Sequence, residues 1–462
     1  MRLNYFNFKK IKNKVLLTND FGKYCIISNS DFLKLINQEV EEGTDLWNEL
    51  KDKYFIYNES FLDFTADNRY ELRNAKSLLG ISTSLHIFVL TTECNMACVY
   101  CQANSGKDMP KLFMTEDDCI KAVDIAFQSP ANELTFEFQG GEPLLNFKII
   151  QKIVSYSESK NSGKHIHYNL VSNLTLLNDD MLDYFEKYNF NISTSLDGHS
   201  IIHENNRPYK DGRGTYDDVV NSIKRVKNRR LSVGAIETTT QFTLKYPKEL
   251  VHAYADLGLD CLFIRPLTTL GKATINWDNI GYTPEQFLEF YRTACDEMIK
   301  LNLDGIYLKE NFAGILLAKM LGNYINYMEL RSPCGAGIGQ LAYYPDGNIY
   351  TCDEGRMLSE MGDDSFMLGT FDSRYIDLIN NKKCKAICAS SVLESIPTCC
   401  DCVYQPYCGT CPVINYSNDG DLIAKQPREF RCKIYMGILD YLFEKIIDGN
   451  QEIIAVLKLW SN

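Results

Sequence analysis

The chain has no long apolar run. No stretch of about 18 uninterrupted apolar residues occurs in it, which removes the signature of a membrane-spanning helix. The opening, "MRLNYFNFKKIKNKVLLTND", holds no apolar segment of signal-peptide length. The sequence therefore predicts a cytoplasmic protein with no membrane partner. Positive charge is also in short supply. Lysine and arginine number 48 against 60 acidic residues, a net charge of −12. Without a basic footprint, nucleic-acid binding is not expected. There is no low-complexity tract and no internal repeat. What remains is ordinary for a globular protein: 45% apolar and 23% charged residues over 462 positions, a length that suits about two to four domains.

Cysteine is abundant, with 17 residues. In a cytoplasmic chain of this size, clustered cysteines hold a metal or a cluster more often than they form disulfides. Cys25, Cys119, Cys261 and Cys295 stand alone and read as core residues. The others fall into two groups.

Residues 1–80 read as a small unit. "NYFNFKKI", "KVLLTND" and "YCIIS" predict three short strands with turns at Lys12-Asn13 and Asp20-Phe21-Gly22. "NSDFLKLI" and "TDLWNELKDKY" predict short helices, with Ser30 and Thr44 as N-caps. This makes a winged-helix-like module, or else an extension packed on the main domain. From about residue 81 to 325 strands and helices alternate. The strands are "SLHIFVL", "LTFEF", "HIHYNLVSN", "FNISTSLDG", "LSVGAIETTT" and "DCLFIRPL", and "TEDDCIKAVDIAFQS" reads as a helix capped by Thr115. Six such units predict an α/β fold of partial (β/α)6, TIM-like barrel form, with its chemistry in the loops after the strand C-termini. After about residue 330 the alternation stops. Residues 326–440 read as a separate, turn-rich, metal-rich region holding ten cysteines, and 441–462 as C-terminal helix.

The loop after "SLHIFVL" carries Cys94, Cys98 and Cys101, spaced C-x3-C-x2-C, with no histidine or fourth cysteine nearby. Random placement of 17 cysteines would give this pattern about 0.02 times. Thiolates select zinc, Cu(I) or iron–sulfur clusters. Structural zinc takes four ligands. A [4Fe–4S] cube held by three thiolates leaves one iron open to a cofactor or substrate.

This motif, with aromatic Tyr100 before its last cysteine, resembles the signature of the radical S-adenosylmethionine enzymes. The resemblance implies that the open iron chelates the amino and carboxylate groups of S-adenosyl-L-methionine. One electron then cleaves the cofactor, and the resulting 5′-deoxyadenosyl radical takes a hydrogen atom from the substrate. Gly140, Gly141 and Glu142 match the family's GGE segment, assigned to the methionine amino group. Glycine permits such close main-chain approach because no Cβ intervenes. Ser195 in "SLDG" and Arg207 in "HENNRPY" match cofactor contacts of the sulfatase-maturase branch, and a guanidinium suits a carboxylate. Tyr100 and Leu267 match adenine- or cofactor-side contacts, and Asn173 is a ribose-side candidate.

The C-terminal cysteines resemble the SPASM domain, which carries two auxiliary [4Fe–4S] clusters. Cys334 and Cys352 flank "YYPDG", and Cys399, Cys402, Cys408 and Cys411 read C-x2-C-x5-C-x2-C, with Cys432 following. The resemblance implies one cluster on Cys399, Cys402, Cys408 and Cys432, and another on Cys334, Cys352 and Cys411. Two departures stand out. The last gap is two residues rather than three, and Gln340 replaces a cysteine of the sulfatase maturases. The second cluster then has an open iron, or borrows Cys384, Cys388 or Cys400. Four local cysteines also fit a structural zinc. Asp353, directly after Cys352, matches the acid that serves as proton acceptor in the sulfatase maturases; it would be the catalytic residue.

Almost the whole chain resembles radical SAM/SPASM peptide maturases, most of all those of the His-Xaa-Ser peptide system, and more distantly the anaerobic sulfatase-maturating enzymes. The resemblance implies an oxidoreductase that installs a modification, such as a side-chain crosslink, in a ribosomally made precursor peptide. Its partners would be that peptide, an electron donor such as flavodoxin or ferredoxin, and in some systems a second maturase. The N-terminal module is similar to leader-recognition elements that bind an added strand at a sheet edge. The alternatives are formylglycine formation in a sulfatase, and a non-enzymatic iron–sulfur or zinc scaffold.

Overall fold

The computed structural model describes residues 1–462 other than 104–109, 324, 424 and 426. After a two-residue strand, Arg2–Leu3, that pairs with Ile56–Tyr57, the chain forms a three-stranded antiparallel sheet: β1 (Asn7–Ile11), β2 (Lys14–Thr18) and β3 (Tyr24–Ser28), in that order. Lys12 takes a left-handed conformation in the predicted first turn. Helices α1 (Asn29–Ile36) and α2 (Asp45–Asp52) follow. Thr44 caps α2 as expected, but Ser28 rather than Ser30 caps α1, accepting the Asp31 N–H at 3.0 Å. The strand therefore runs into the helix with no intervening loop. Cys25, Ile27, Leu35 and Trp47 fill the core between sheet and helices. Two short helices, α3 (Phe61–Asp67) and α4 (Arg69–Ala75), lead on towards the barrel.

All six expected barrel strands form. They are β4 (Leu85–Val89), β5 (Glu133–Gln139), β6 (His165–Val171), β7 (Asn191–Ser195), β8 (Ser232–Thr238) and β9 (Cys261–Arg265). A two-residue strand, β10 (Lys309–Glu310), extends the series. Each pairs in parallel with the next in sequence, the order of a barrel wall rather than of a doubly wound sheet. On β5, Leu134, Phe136 and Phe138 are fully buried, in one cluster with Val123 and Ile150 of the covering helices. The period of two turns Thr135, Glu137 and Gln139 to the opposite, inner face. The helix behind this wall, α5 (Glu116–Phe127), starts with a capping box between Thr115 and Asp118.

The cysteine-rich region does not stand apart. Strands β11 (Gln340–Tyr343), β12 (Asn348–Tyr350) and β13 (Met367–Thr370) continue the barrel sheet, with β11 parallel to β4 and the other two antiparallel. The alternation read as stopping near residue 330 is a change of connection, not of sheet. Helix α6 (Asp353–Ser359) follows β12, α7 (Lys382–Ser390) carries Cys384 and Cys388, and α8 (Pro412–Asp419) follows Cys411. The C-terminus is two helices, α9 (Phe430–Asp448) and α10 (Gln451–Trp460), broken at Gly449, whose φ of 71° ends α9 in the left-handed region. Cys25, Cys119 and Cys295 are buried in cores as expected, and Cys261 is half-buried.

Candidate active site at the barrel mouth

The sequence-predicted loops converge. After β4 the chain turns into the cysteine triplet, and after β5 it turns into Gly140-Gly141-Glu142. Main-chain bonds carry the β4–β5 pairing onward: Gly141 N–H donates to Thr91 O, and Glu142 N–H to Glu93 O, both at 2.8 Å. A Cβ on Gly140 would overlap the Thr91 carbonyl, and one on Gly141 the Glu93 carbonyl. Both glycines are thus required by backbone contact with the triplet loop.

Glu142 is fully buried. Its carboxylate accepts from Leu144 N–H (3.0 Å), Ser172 Oγ (2.7 Å) and Asn173 N–H (2.9 Å). Burial pushes it up to about 7 against those donors. It ties the β5 loop to the β6 loop. Asn173 then reaches the triplet: its amide donates to Asn95 Oδ1 at 2.9 Å and to Cys94 Sγ at 3.8 Å. Met96 N–H donates to the same sulfur at 3.4 Å. Two donors aimed at one thiol favour its charged form.

A second hub, Asp197 after β7, was missed in the sequence. Its fully buried carboxylate accepts the Tyr100 hydroxyl, Asn206 Nδ2 (3.2 Å) and Thr238 N–H (3.1 Å). Arg207 Nε lies 3.0 Å from Asp197 Oδ1, an ion pair whose angle leaves that N–H without a hydrogen bond. The Arg207 guanidinium sits over the Tyr100 ring, 5.0 Å from its centre. Burial opposes the Arg207 charge, and Asp197 outweighs it and pushes the group up. The Asn206 and Pro208 carbonyls accept from Val99 and Ala97 N–H, at 2.9 and 2.8 Å, clamping the triplet loop on this side. Burial raises the Cys94 thiol, and takes Cys98 to about 11 although Arg207 pulls it down. A bound metal cation would turn such thiols into thiolates. Ser195 ends β7 half-buried, and Leu267 lies buried after β9, its N–H donating to Tyr282 OH at 2.7 Å.

Across the mouth, Asp353 is the first residue of α6 and pairs with buried Arg356 at 2.7 Å. Burial, then the charge of Asp353, raises Glu137 on β5 to about 7, while Asn169 and Arg265 lower it. Arg265 pairs with Glu329 at 3.0 Å, and Arg431 with Glu329 at 3.5 Å. This polar group was also missed; the alternation Leu134-Thr135-Phe136-Glu137 was the signal that could have found it.

The C-terminal cysteines form two assemblies. Cys399, Cys402, Cys408 and Cys432 line one pocket of about 330 Å³, and Cys432 is raised by burial first, then by the other three as well as by Glu429. Cys334, Cys352 and Cys411 share one buried cluster with Leu270 and Met357. Among the described residues, no three His, Cys, Asp or Glu side chains stand close enough to hold a single metal ion.

Residues 88–249 match the model of the Radical SAM superfamily. An uncharacterised protein of Methanocaldococcus jannaschii is 32% identical over 37% of this chain, and the match spans 59% of that protein's length. The serine-type anaerobic sulfatase-maturating enzyme of Bacteroides thetaiotaomicron is 23% identical over 74% of this chain and 85% of its own. The radical SAM cyclopropyl synthase TigE of Paramaledivibacter caminithermalis is 22% identical, covering 76% and 71%. Among solved structures, native anSMEcpe with bound AdoMet superposes with a TM-score of 0.68 at 19% identity, covering 79% of this chain and 98% of that one. Streptococcus suis SuiB bound to precursor peptide SuiA gives 0.55 at 14% identity, covering 92% and 98%. These structural likenesses are likenesses of fold.

Proposed function

Residues 88–249 are a radical SAM domain, and from that premise we propose that the chain is a radical S-adenosylmethionine enzyme that modifies a side chain of a ribosomally made precursor peptide. The observation that carries this reading is the mouth itself. One loop presents Cys94, Cys98 and Cys101, and the GGE, Ser172-Asn173 and Asp197–Arg207 segments brace it from both sides. A structural site would need no such bracing around three thiols.

The three thiols fit a [4Fe–4S] cluster with one open iron. When bound, cluster and S-adenosyl-L-methionine supply one-electron cleavage of the cofactor and hydrogen-atom removal from the substrate. This chain's own residues do the rest. Gly140 and Gly141 let main chain and cofactor approach closely. Arg207 presents a cation, aimed by Asp197 and Tyr100, to the cofactor carboxylate. Ser195, Asn173 and Leu267 line the cofactor's path. The Asn173 amide and the Glu142 carboxylate are engaged with the loops, so both act chiefly by holding the triplet. Asp353, oriented by Arg356, takes the substrate proton. Cys399, Cys402, Cys408 and Cys432 hold one auxiliary cluster; Cys334, Cys352 and Cys411 hold the other. The substrate is a precursor peptide, and the reductant a flavodoxin or ferredoxin.

Formylglycine formation is the second reading, favoured by relatives named as sulfatase-maturating enzymes. Gln340 weighs against it. It stands buried at the start of β11, paired with Leu85, where those enzymes place a cysteine.

The test is anaerobic production of 5′-deoxyadenosine by the reconstituted, dithionite-reduced chain. Wild type is expected to turn over, and Cys94→Ala/Cys98→Ala/Cys101→Ala is not. Equal turnover by the triple variant removes the proposal. Mass spectrometry of a short peptide from any open reading frame found beside the gene, against a sulfatase peptide, separates the two readings.

A further inference from the structure

Away from the barrel mouth, a cleft of about 390 Å³ lies between the N-terminal module and the cysteine-rich region. Three parts of the chain wall it. The β2–β3 turn at Asp20–Gly22 and α4 form one side, the end of the helix Asn311–Met320 another, and the segments around Leu330 and Pro406 the third. Phe21, Leu72, Leu79 and Leu330 make much of its surface apolar.

Five charged side chains line the same cleft, and they do not cancel. Glu394 is engaged: it pairs with Lys76 and accepts from Ser332 Oγ at 2.5 Å. Asp20 is exposed on its turn. Lys319 and Arg331 form no ion pair among the described residues. Lys319 Nζ donates to the carbonyls of Leu330 (2.5 Å) and Tyr407 (3.1 Å), which uses two of its three N–H groups. Arg331 is only 3% exposed. Its guanidinium donates to Asn326 Oδ1 at 3.2 Å and Leu78 O at 2.9 Å and lies 3.6 Å from Met328 Sδ, while the Nε–H has no partner. Both cations belong to one stretch of the wall, since Lys319 is anchored on the carbonyl of the residue before Arg331.

A buried cation without a carboxylate is costly. Here two stand together, each with an N–H to spare, and the two oxygens of one carboxylate suit two such donors. Inorganic phosphate would gain nothing from the apolar walls, whereas a peptide segment with apolar side chains beside its acid would bury them there. The chain carries a net charge of −12. Its surface at large repels an acidic segment, and an unpaired pair of cations gives such a segment a place to settle.

We propose that this cleft is a docking site for a segment of the substrate peptide in which an aspartate or glutamate stands between apolar side chains, its carboxylate taken by Lys319 and Arg331. The inference rests on the reading of the chain as a peptide-modifying enzyme.

The test uses the full, reconstituted chain and a displayed library of random dodecapeptides. Selection is expected to enrich an acidic position between apolar ones. Replacing that acid by its amide in a selected peptide should weaken binding about tenfold or more. K319R should keep this discrimination and K319M should lose it. A photo-crosslinker beside the acidic residue should attach to α4 or to the Asp20–Gly22 turn of the wild-type chain. A selection with no acidic position, an amide peptide that binds as well as its acid, a K319M that still discriminates, or crosslinks confined to other segments each overturn the assignment. Should K319M lose its iron, the amide peptide and the crosslinks on wild type decide. Turnover is read separately. Peptides that bind and crosslink as expected while wild type forms no 5′-deoxyadenosine would defeat the enzymatic reading and leave the cleft assignment standing.

Discussion

Gly141 leaves no room for a side chain. Its Cα faces the Glu93 carbonyl so closely that a Cβ would overlap main-chain atoms. The backbone cannot give, because Gly141 and Glu142 N–H are both bonded to the same segment. Gly141→Ala should therefore displace the triplet loop rather than unfold the barrel. Iron after reconstitution is expected to fall by about 4 per chain, one cube, with the other clusters retained; undiminished iron and normal cofactor cleavage would contradict this. The pair of glycines was legible in the sequence, because a GGE after a strand needs close approach. The Asp197 hub was not. "SLDG" reads as an ordinary turn, and only the fold brings Tyr100, Asn206 and Thr238 from three other segments onto one carboxylate. Ser28 escaped for a simpler reason: two serines flank Asn29, and local pattern cannot tell which one meets the helix first.

At the scale of elements, the seam between β4 and β11 joins the barrel to the cysteine-rich region. Periodicity revealed β4 as a strand, but β11 lay in the stretch read as turn-rich, and parallel pairing over more than 250 residues of sequence has no local signal. His86 of β4 marks that seam. It is fully buried, stacked on Tyr343 of β11, with Nδ1 at 2.9 Å from the Tyr343 hydroxyl. Nε2 has no partner among the described residues. Burial holds the ring down at about 3, below its usual value near 6.5, so the folded state favours the neutral ring. The stability this gives is complete above about 6.5 and is lost as pH falls towards 3. Between about pH 7 and 5 the loss amounts to roughly 2 kcal/mol from this one group. His203, buried and held at about 4, adds a similar loss elsewhere. His86→Phe should thus flatten part of the acid slope of chemical denaturation, and His86→Phe/His203→Phe most of it. An unchanged slope in both variants would mean that neither ring is buried neutral.

For the whole molecule, the question is what the N-terminal module does. Its three strands were readable from turn residues and alternation, but its docking was not. The sheet is covered on both faces. Cys25 and Ile27 face the module's helices, while Ile11 and Leu16 join the large core that includes Leu439 and Phe443 of α9. Lys9 pairs with Asp440 at 2.7 Å, Lys12 with Asp448 at 2.6 Å, and Thr18 Oγ1 donates to Val403 O at 2.7 Å. Removing residues 1–80 would therefore strip the cover from α9, and loss of activity would say nothing about peptide binding. The edges are more informative. The β1 side is occupied: Asn7 donates to the Cys400 and Cys402 carbonyls at 3.0 and 3.2 Å, next to the Cys399–Cys432 pocket. Among the described residues no strand pairs with the outer edge of β3. A leader that binds by strand addition must take that edge, because main-chain donors and acceptors are its only general handle. Hydrogen–deuterium exchange on the intact enzyme tests this directly. Added full-length precursor should slow exchange over Tyr24–Ser28, and the same peptide without its leader should not. Tethering raises the local concentration of the core segment at the barrel mouth, so the leaderless peptide should still be modified at high concentration. If the full-length precursor is processed efficiently while β3 exchanges at its free rate, the module is a structural cover for α9 and the leader is read elsewhere.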